Sequence, residues 1–203
     1  RKASETVLRP IGDTGSEVLL VTRDDIVYGL GSNQYGCLGI GAYNEATEPA
    51  EIVELRNKQI TKLVYGSRHV LALTSCGEIY SWGDNSYGQL GNMNTFECLR
   101  PTLVGKHILA VQCGAHHTLA LTTSGQVFSW GRNNYGQTGT GNNTNQLIPT
   151  KINALEPHYV VAIACGGAHS LALTSRGVVF GWGNNSYGQL GIGNTSHQVT
   201  PVQ

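Results

Sequence analysis

The sequence predicts an all-β protein assembled from four copies of one β-propeller blade, and three observations carry the prediction. The run Val27-Tyr-Gly-Leu-Gly-Ser-Asn-Gln-Tyr-Gly-Cys-Leu-Gly39 recurs without a gap at 79–91, 127–139 and 179–191, its central glycines Gly31, Gly83, Gly131 and Gly183 stepping by 52, 48 and 52. A second anchor precedes each later run: Gly66-Ser-Arg-His-Val-Leu-Ala-Leu-Thr74, then 114–122 and 166–174. The third is a proline at 49, 101, 149 and 201, with the same steps. Self-similarity at a period of roughly 50 residues marks a repeat architecture whose units bury their apolar faces on one another.

By this phase the copies span 1–48, 49–100, 101–148 and 149–200, and 201–203 open a fifth. The first copy is degenerate, with Glu17 where the others hold His69, His117 and His169. Each copy contains four short β-type runs bounded by Gly, Asn, Ser or Pro, for example Ala50–Leu55, Ile60–Tyr65, His69–Thr74 and Glu78–Trp82. Four antiparallel strands make one blade. The Leu-Ala-Leu segment is apolar throughout and reads as a strand covered on both faces, whereas Ile79-Tyr-Ser-Trp82 is mixed and reads as nearer an edge. Ser75-Cys-Gly77, Thr123-Ser-Gly125 and Ser175-Arg-Gly177 place glycine at the left-handed position of a three-residue hairpin, and Asp24-Asp25 stands there in the first copy.

Composition agrees with this class and narrows the function. Gly accounts for 27 of 203 residues, Met for one, and charged residues for 13%, a profile of tight turns rather than helices. Thirteen basic residues balance thirteen acidic ones, so no field steers the surface toward nucleic acid or an anionic membrane. The five cysteines are odd in number and form no CxxC pair, which indicates neither a disulfide framework nor a zinc knuckle. With no apolar segment between Arg1 and Pro10 and no window long enough for a membrane span, a cytoplasmic or nuclear location is expected.

No catalytic, cofactor or metal site is expected. His69, His117 and His169 resemble a three-histidine metal set, but they are one position in successive copies and read as packing residues bonded to backbone of their own blade. Cys113 and Cys165 also share one position, held by Tyr65 in the second copy, and read as small buried fillers. No GxSxG, P-loop, helix-opening GxGxxG or HExxH is present. Specificity should therefore lie in what remains once the repeat is subtracted. One variable position follows each Trp-Gly (Ser32, Asp84, Arg132, Asn184), and another precedes each Leu-Ala-Leu strand (Ser16, Arg68, His116, Ala168). Asp84, Arg132, Arg68 and His116 are the expected partner contacts. Tyr35, Tyr87, Tyr135 and Tyr187 recur beside them as packing aromatics.

The runs at 79–91, 127–139 and 179–191, each followed by proline and by Gly-x-x-His-(Thr or Ser)-x-Ala-Leu in the later copies, resemble the regulator-of-chromosome-condensation (RCC1-type) repeat family over essentially the whole chain. The degenerate first copy is most similar to the BTB-linked members. The resemblance implies a propeller, usually seven-bladed, that serves as a docking platform. Four copies do not close seven blades, which implies a fragment, a short isoform or an oligomer that completes itself through open blade edges. A protein–protein interaction scaffold follows, as the partner-binding part of a ubiquitin-ligase adaptor. The alternative is a guanine-nucleotide exchange factor for a Ran-like small GTPase. The family's exchange factor uses a projecting hairpin wedge, for which steps of 48 to 52 leave no room, and the basic tail of its chromatin-bound member is reduced here to Arg1, Lys2 and Arg9. Ubiquitin-ligase components or a small GTPase are the expected partners, without direct nucleic-acid or membrane contact.

Overall fold

The computed structural model describes residues 7–11 and 16–203. Arg1, Lys2 and the first residues of the degenerate anchor, Thr14 and Gly15, lie outside the described residues.

Four antiparallel four-stranded sheets follow one another along the chain, each a simple meander. Blade 1 comprises β1 (Val7–Ile11), β2 (Glu17–Val21), β3 (Val27–Gly31) and β4 (Ala46–Glu51). Blade 2 comprises β5 (Ile60–Tyr65), β6 (His69–Thr74), β7 (Ile79–Gly83) and β8 (Cys98–Gly105). Blade 3 comprises β9 (Ile108–Cys113), β10 (His117–Thr122), β11 (Val127–Gly131) and β12 (Gln146–Lys151). Blade 4 comprises β13 (Val160–Cys165), β14 (His169–Thr174), β15 (Val179–Gly183) and β16 (Gln198–Val202).

The hairpins between the second and third strands form as the sequence predicts. Gly77, Gly125 and Gly177 have φ of 81°, 77° and 79°, and Asp25 takes the same position at 59°. The threonine ending each second strand closes the turn twice: Thr74 N–H donates to Glu78 O at 3.0 Å, and Thr74 Oγ1 accepts from Glu78 N–H at 3.0 Å.

Two expectations about strands change. The proline-bearing strand pairs backward, β4 on β3 and β8 on β7, so each sheet straddles the sequence phase set by the prolines. The run at Ala50–Leu55 accordingly divides: the strand is Ala46–Glu51, and Val53–Leu55 is a 3-10 turn leading into the next blade. The Ile79–Gly83 strand is also no edge, since β7 lies between β6 and β8 and is buried along its length. Its mixed composition reflects internal polar contacts: Ser81 Oγ donates to Leu90 O at 2.9 Å, and Trp82 Nε1–H donates to Cys37 O at 2.7 Å.

The first strands are innermost, and beyond β5, β9 and β13 the chain bonds from blade to blade, Ser67 N–H to Ala115 O and Ala115 N–H to Gly167 O, both at 2.9 Å. Apolar cores lie between blades 1 and 2 around Leu19 and Trp82, between 2 and 3 around Leu71 and Trp130, and between 3 and 4 around Leu119 and Trp182. Burial of this kind stabilises by roughly 1.5–3 kcal/mol per large apolar side chain, which makes the junctions the main source of stability.

Candidate interaction face

The two variable positions of each copy become one surface through a close backbone approach. Gly31, Gly83, Gly131 and Gly183 end their strands at φ of 97° to 101°, and a Cβ at Gly83 would come within 2.6 Å of Arg68 O. That approach lets the next amide reach the same carbonyl: Asp84 N–H to Arg68 O at 2.8 Å, Arg132 N–H to His116 O at 2.9 Å, and Asn184 N–H to Ala168 O at 2.8 Å. The loops before the second strand and after the third are therefore coupled in every blade. They present their side chains from one face of the arc.

The tyrosine of each blade lies beneath residues of the next. The Arg68 guanidinium stands 4.1 Å from the centre of the Tyr35 ring. Arg132 stands 4.7 Å from that of Tyr87, which His116 also meets with ring centres 5.2 Å apart. His197 covers Tyr135 at 5.0 Å. Tyr187, in the last blade described, is 93% exposed. Three of the four expected contact residues thus form two cation–aromatic stacks across blade junctions. Neither Arg68 nor Arg132 makes an ion pair among the described residues, and each keeps its charge on the ring it stacks on. Asp84 is turned to local work, its carboxylate accepting from Ser86 N–H at 3.0 Å and Gln89 Nε2–H at 2.9 Å.

Below this face the repeated histidines do something other than expected. Instead of bonding backbone within their own blade, they reach across the junction: His69 Nε2 meets Thr118 Oγ1 at 3.3 Å, and His117 Nε2 meets Ser170 Oγ at 2.9 Å. Those hydroxyl protons are committed elsewhere, Thr118 Oγ1 donating to Gln89 O at 3.1 Å and Ser170 Oγ to Gln137 O at 2.9 Å. Each Nε2 therefore carries the proton and donates it. The next blade's tryptophan uses the same carbonyls, Trp130 Nε1–H to Gln89 O and Trp182 Nε1–H to Gln137 O, both at 2.9 Å. Burial lowers the pKa of His69 and of His117 to about 3, and both Nδ1 atoms are buried without a hydrogen-bond partner among the described residues. The imidazoles lie against Gly66 and Gly114, where a Cβ would come within 2.1 Å of the ring.

The histidines stand at separate junctions, and no group of three His, Cys, Asp or Glu able to hold a metal ion occurs among the described residues. Cys113 and Cys165 are partly buried at the ends of β9 and β13, packed against the junction cores, and desolvation raises both thiol pKa values, so neither favours the thiolate.

A repeated asparagine holds the loops that build this face. Asn33, Asn85, Asn133 and Asn185 are buried, and each fastens the long loop between the third and fourth strands. Asn85 Oδ1 accepts from Leu90 N–H at 3.0 Å, while its Nδ2 donates to Asn94 O at 2.9 Å and Phe96 O at 3.0 Å. This asparagine occurs in all four copies, so the repeat itself carries its signal.

The family model described as the RCC1-like domain matches residues 6–203. The chain is 36% identical over 200 residues to the ultraviolet-B receptor UVR8 of Arabidopsis thaliana, covering 97% of this chain and 46% of that protein. It is 38% identical over 206 residues to the E3 ubiquitin-protein ligase HERC2 of Homo sapiens, covering 97% of this chain and 4% of that ligase. The crystal structure of human WBSCR16 superposes with a TM-score of 0.82 at 26% identity, over 100% of this chain and 54% of that one. The chain spans under two thirds of each of these proteins. Repeat, blade topology and comparison agree: the chain belongs to the RCC1-like domain family.

Proposed function

We propose that this chain is a protein–protein interaction scaffold, the partner-binding part of a ubiquitin-ligase adaptor, acting by docking rather than by catalysis. The observation that carries the reading is the pair of arginine–tyrosine stacks: Arg68 on Tyr35 and Arg132 on Tyr87 hold two guanidiniums at fixed places on one face, without a carboxylate. Arginine and tyrosine are the residue types that concentrate binding energy at interfaces, and prior stacking reduces the rotamer entropy lost on docking. Similarity to HERC2, which is named as an E3 ubiquitin-protein ligase, supports the ligase context.

The test is affinity capture from lysate in EDTA, comparing the chain with its Arg68→Ala/Arg132→Ala variant. Recovery of ubiquitin-ligase components that falls about tenfold or more for the variant supports the scaffold. Recovery of a small GTPase released by GTP and magnesium would replace this reading with guanine-nucleotide exchange.

A further inference from the structure

The loop at residues 92–97 departs from its repeat in a way that packing does not explain. At the position of Met93 the other copies carry Gly41, Gly141 and Gly193, all at positive φ, and Met93 keeps that conformation at 72°. A non-glycine side chain in the left-handed region is strained, and this one is 78% exposed, so it recovers little of that strain by burial. Phe96 replaces Asn44, Thr144 and Ser196 and is 75% exposed. Tyr43 of blade 1, in place of Thr95, Asn143 and Thr195, is 49% exposed and donates its hydroxyl to Glu97 Oε1 at 2.5 Å. On the other side, Met93 N–H donates to Leu147 O at 3.0 Å, next to Ile148, which is 47% exposed and stands where the other copies have Glu48, Arg100 and Thr200. Four large side chains thus occupy positions that are glycine, polar or charged in the other copies, and the Tyr43–Glu97 and Met93–Leu147 hydrogen bonds link their loops into one strip across three blades.

The strip is held in place. Asn85 fastens the Phe96 carbonyl, Asn94 Oδ1 accepts from Phe96 N–H at 2.8 Å, and the Met93 amide is pinned to blade 3. The Arg100 guanidinium, which stands against Gly41 beside the strip, is already paired with Glu54 at 2.6 Å. The hydrogen bond from Tyr43 lowers the pKa of Glu97, Asp84 is close enough to oppose that shift, and Glu97 has no cationic partner among the described residues. A rigid apolar strip around an ionised carboxylate without a counter-ion is complementary to a cation carried beside a large apolar side chain.

We propose that Tyr43, Met93, Phe96, Glu97 and Ile148 form a docking point for a segment of another protein in which Arg or Lys adjoins a large apolar residue. The site is separate from the Arg68 and Arg132 stacks and does not rest on their assignment.

The experiment is panning of a random dodecapeptide phage library on the chain, with counter-selection on Met93→Gly/Phe96→Thr. That variant installs residues found in the other copies and relieves the left-handed methionine, so it retains the fold, and matching circular dichroism verifies this. The expected peptides place Arg or Lys next to Phe, Trp, Leu or Met. By fluorescence anisotropy the synthetic peptide binds the double variant about tenfold more weakly. It binds Glu97→Gln about threefold more weakly, with reduced salt dependence, and Arg68→Ala unchanged. Absence of peptides that separate the two proteins, or enrichment of acidic ones, overturns the proposal. So does a dimer that the double variant converts to monomer, because the strip then belongs to a second copy.

Discussion

Burial holds the pKa of His69 and of His117 near 3, so both imidazoles are neutral throughout the ordinary pH range of the folded protein. In the unfolded chain they titrate near 6.5. Between these values the unfolded state binds the extra protons, so stability rises with pH across this window and falls on acidification. Each histidine contributes a slope of about 1.4 kcal/mol per pH unit in the middle of the window, and the two together about twice that. Thermal melts should therefore show a plateau above about pH 7 and a steep decline from there towards pH 4.5. In His69→Gln/His117→Gln, whose amide nitrogens still donate, the melting temperature at pH 7.5 should drop while the decline below it flattens. An equally steep decline in that variant would place the acid sensitivity elsewhere.

The loop between third and fourth strands is the element through which one blade receives the next, and Gly91 and Gly191 are its test. A Cβ on Gly91 would come within 2.8 Å of Trp130 Nε1, at φ of 74°. At Gly191 the φ is 71° and no atom lies within 4 Å. Gly91→Ala should destabilise by the left-handed cost of about 1–2 kcal/mol plus about 1–3 kcal/mol of overpacking, whereas Gly191→Ala should show only the first. Urea titration of the two variants reads the difference, and equal effects would mean that a partner covers blade 4. This comparison also shows what was legible in the sequence. Strand runs, hairpin glycines and the four copies follow from period and turn chemistry. The backward pairing of β4 and β8 does not, because a chain with a regular period looks the same wherever the sheet boundary is drawn. The partner of His69 was equally hidden, since Thr118 is 49 residues away and belongs to the next copy. Arg68, His116 and Arg132 were visible as departures from the repeat. Met93 and Phe96 depart as clearly, but their exposure and the left-handed conformation of Met93 are visible only in the fold.

Four blades give three junction cores, and blade 4 presents the side that a following blade would cover. Leu173 and Val179 are exposed there, while Leu121 and Val127, their counterparts in blade 3, are buried. The junction chemistry defines what fits. His169 Nε2 calls for a Ser or Thr hydroxyl and Gln189 O for an indole N–H, by analogy with Ser170 and Trp182 of blade 4, which meet His117 and Gln137 of blade 3. Blade 1 of a second copy offers Val18 and Leu30 at those places, so head-to-tail closure between copies leaves both groups unanswered. A further repeat of the blade 4 type answers them. Appending a second copy of residues 152–203 after Gln203 should therefore raise the urea midpoint, because each new junction adds a nearest-neighbour term. Replacing the copied Trp182 by Ala in that extended chain should remove about 3–5 kcal/mol, the usual cost of truncating a buried tryptophan. If the extended chain instead unfolds in two separate transitions, with the first unchanged from the parent, the fifth blade has not docked and the junction chemistry inferred from blades 2 to 4 does not govern assembly.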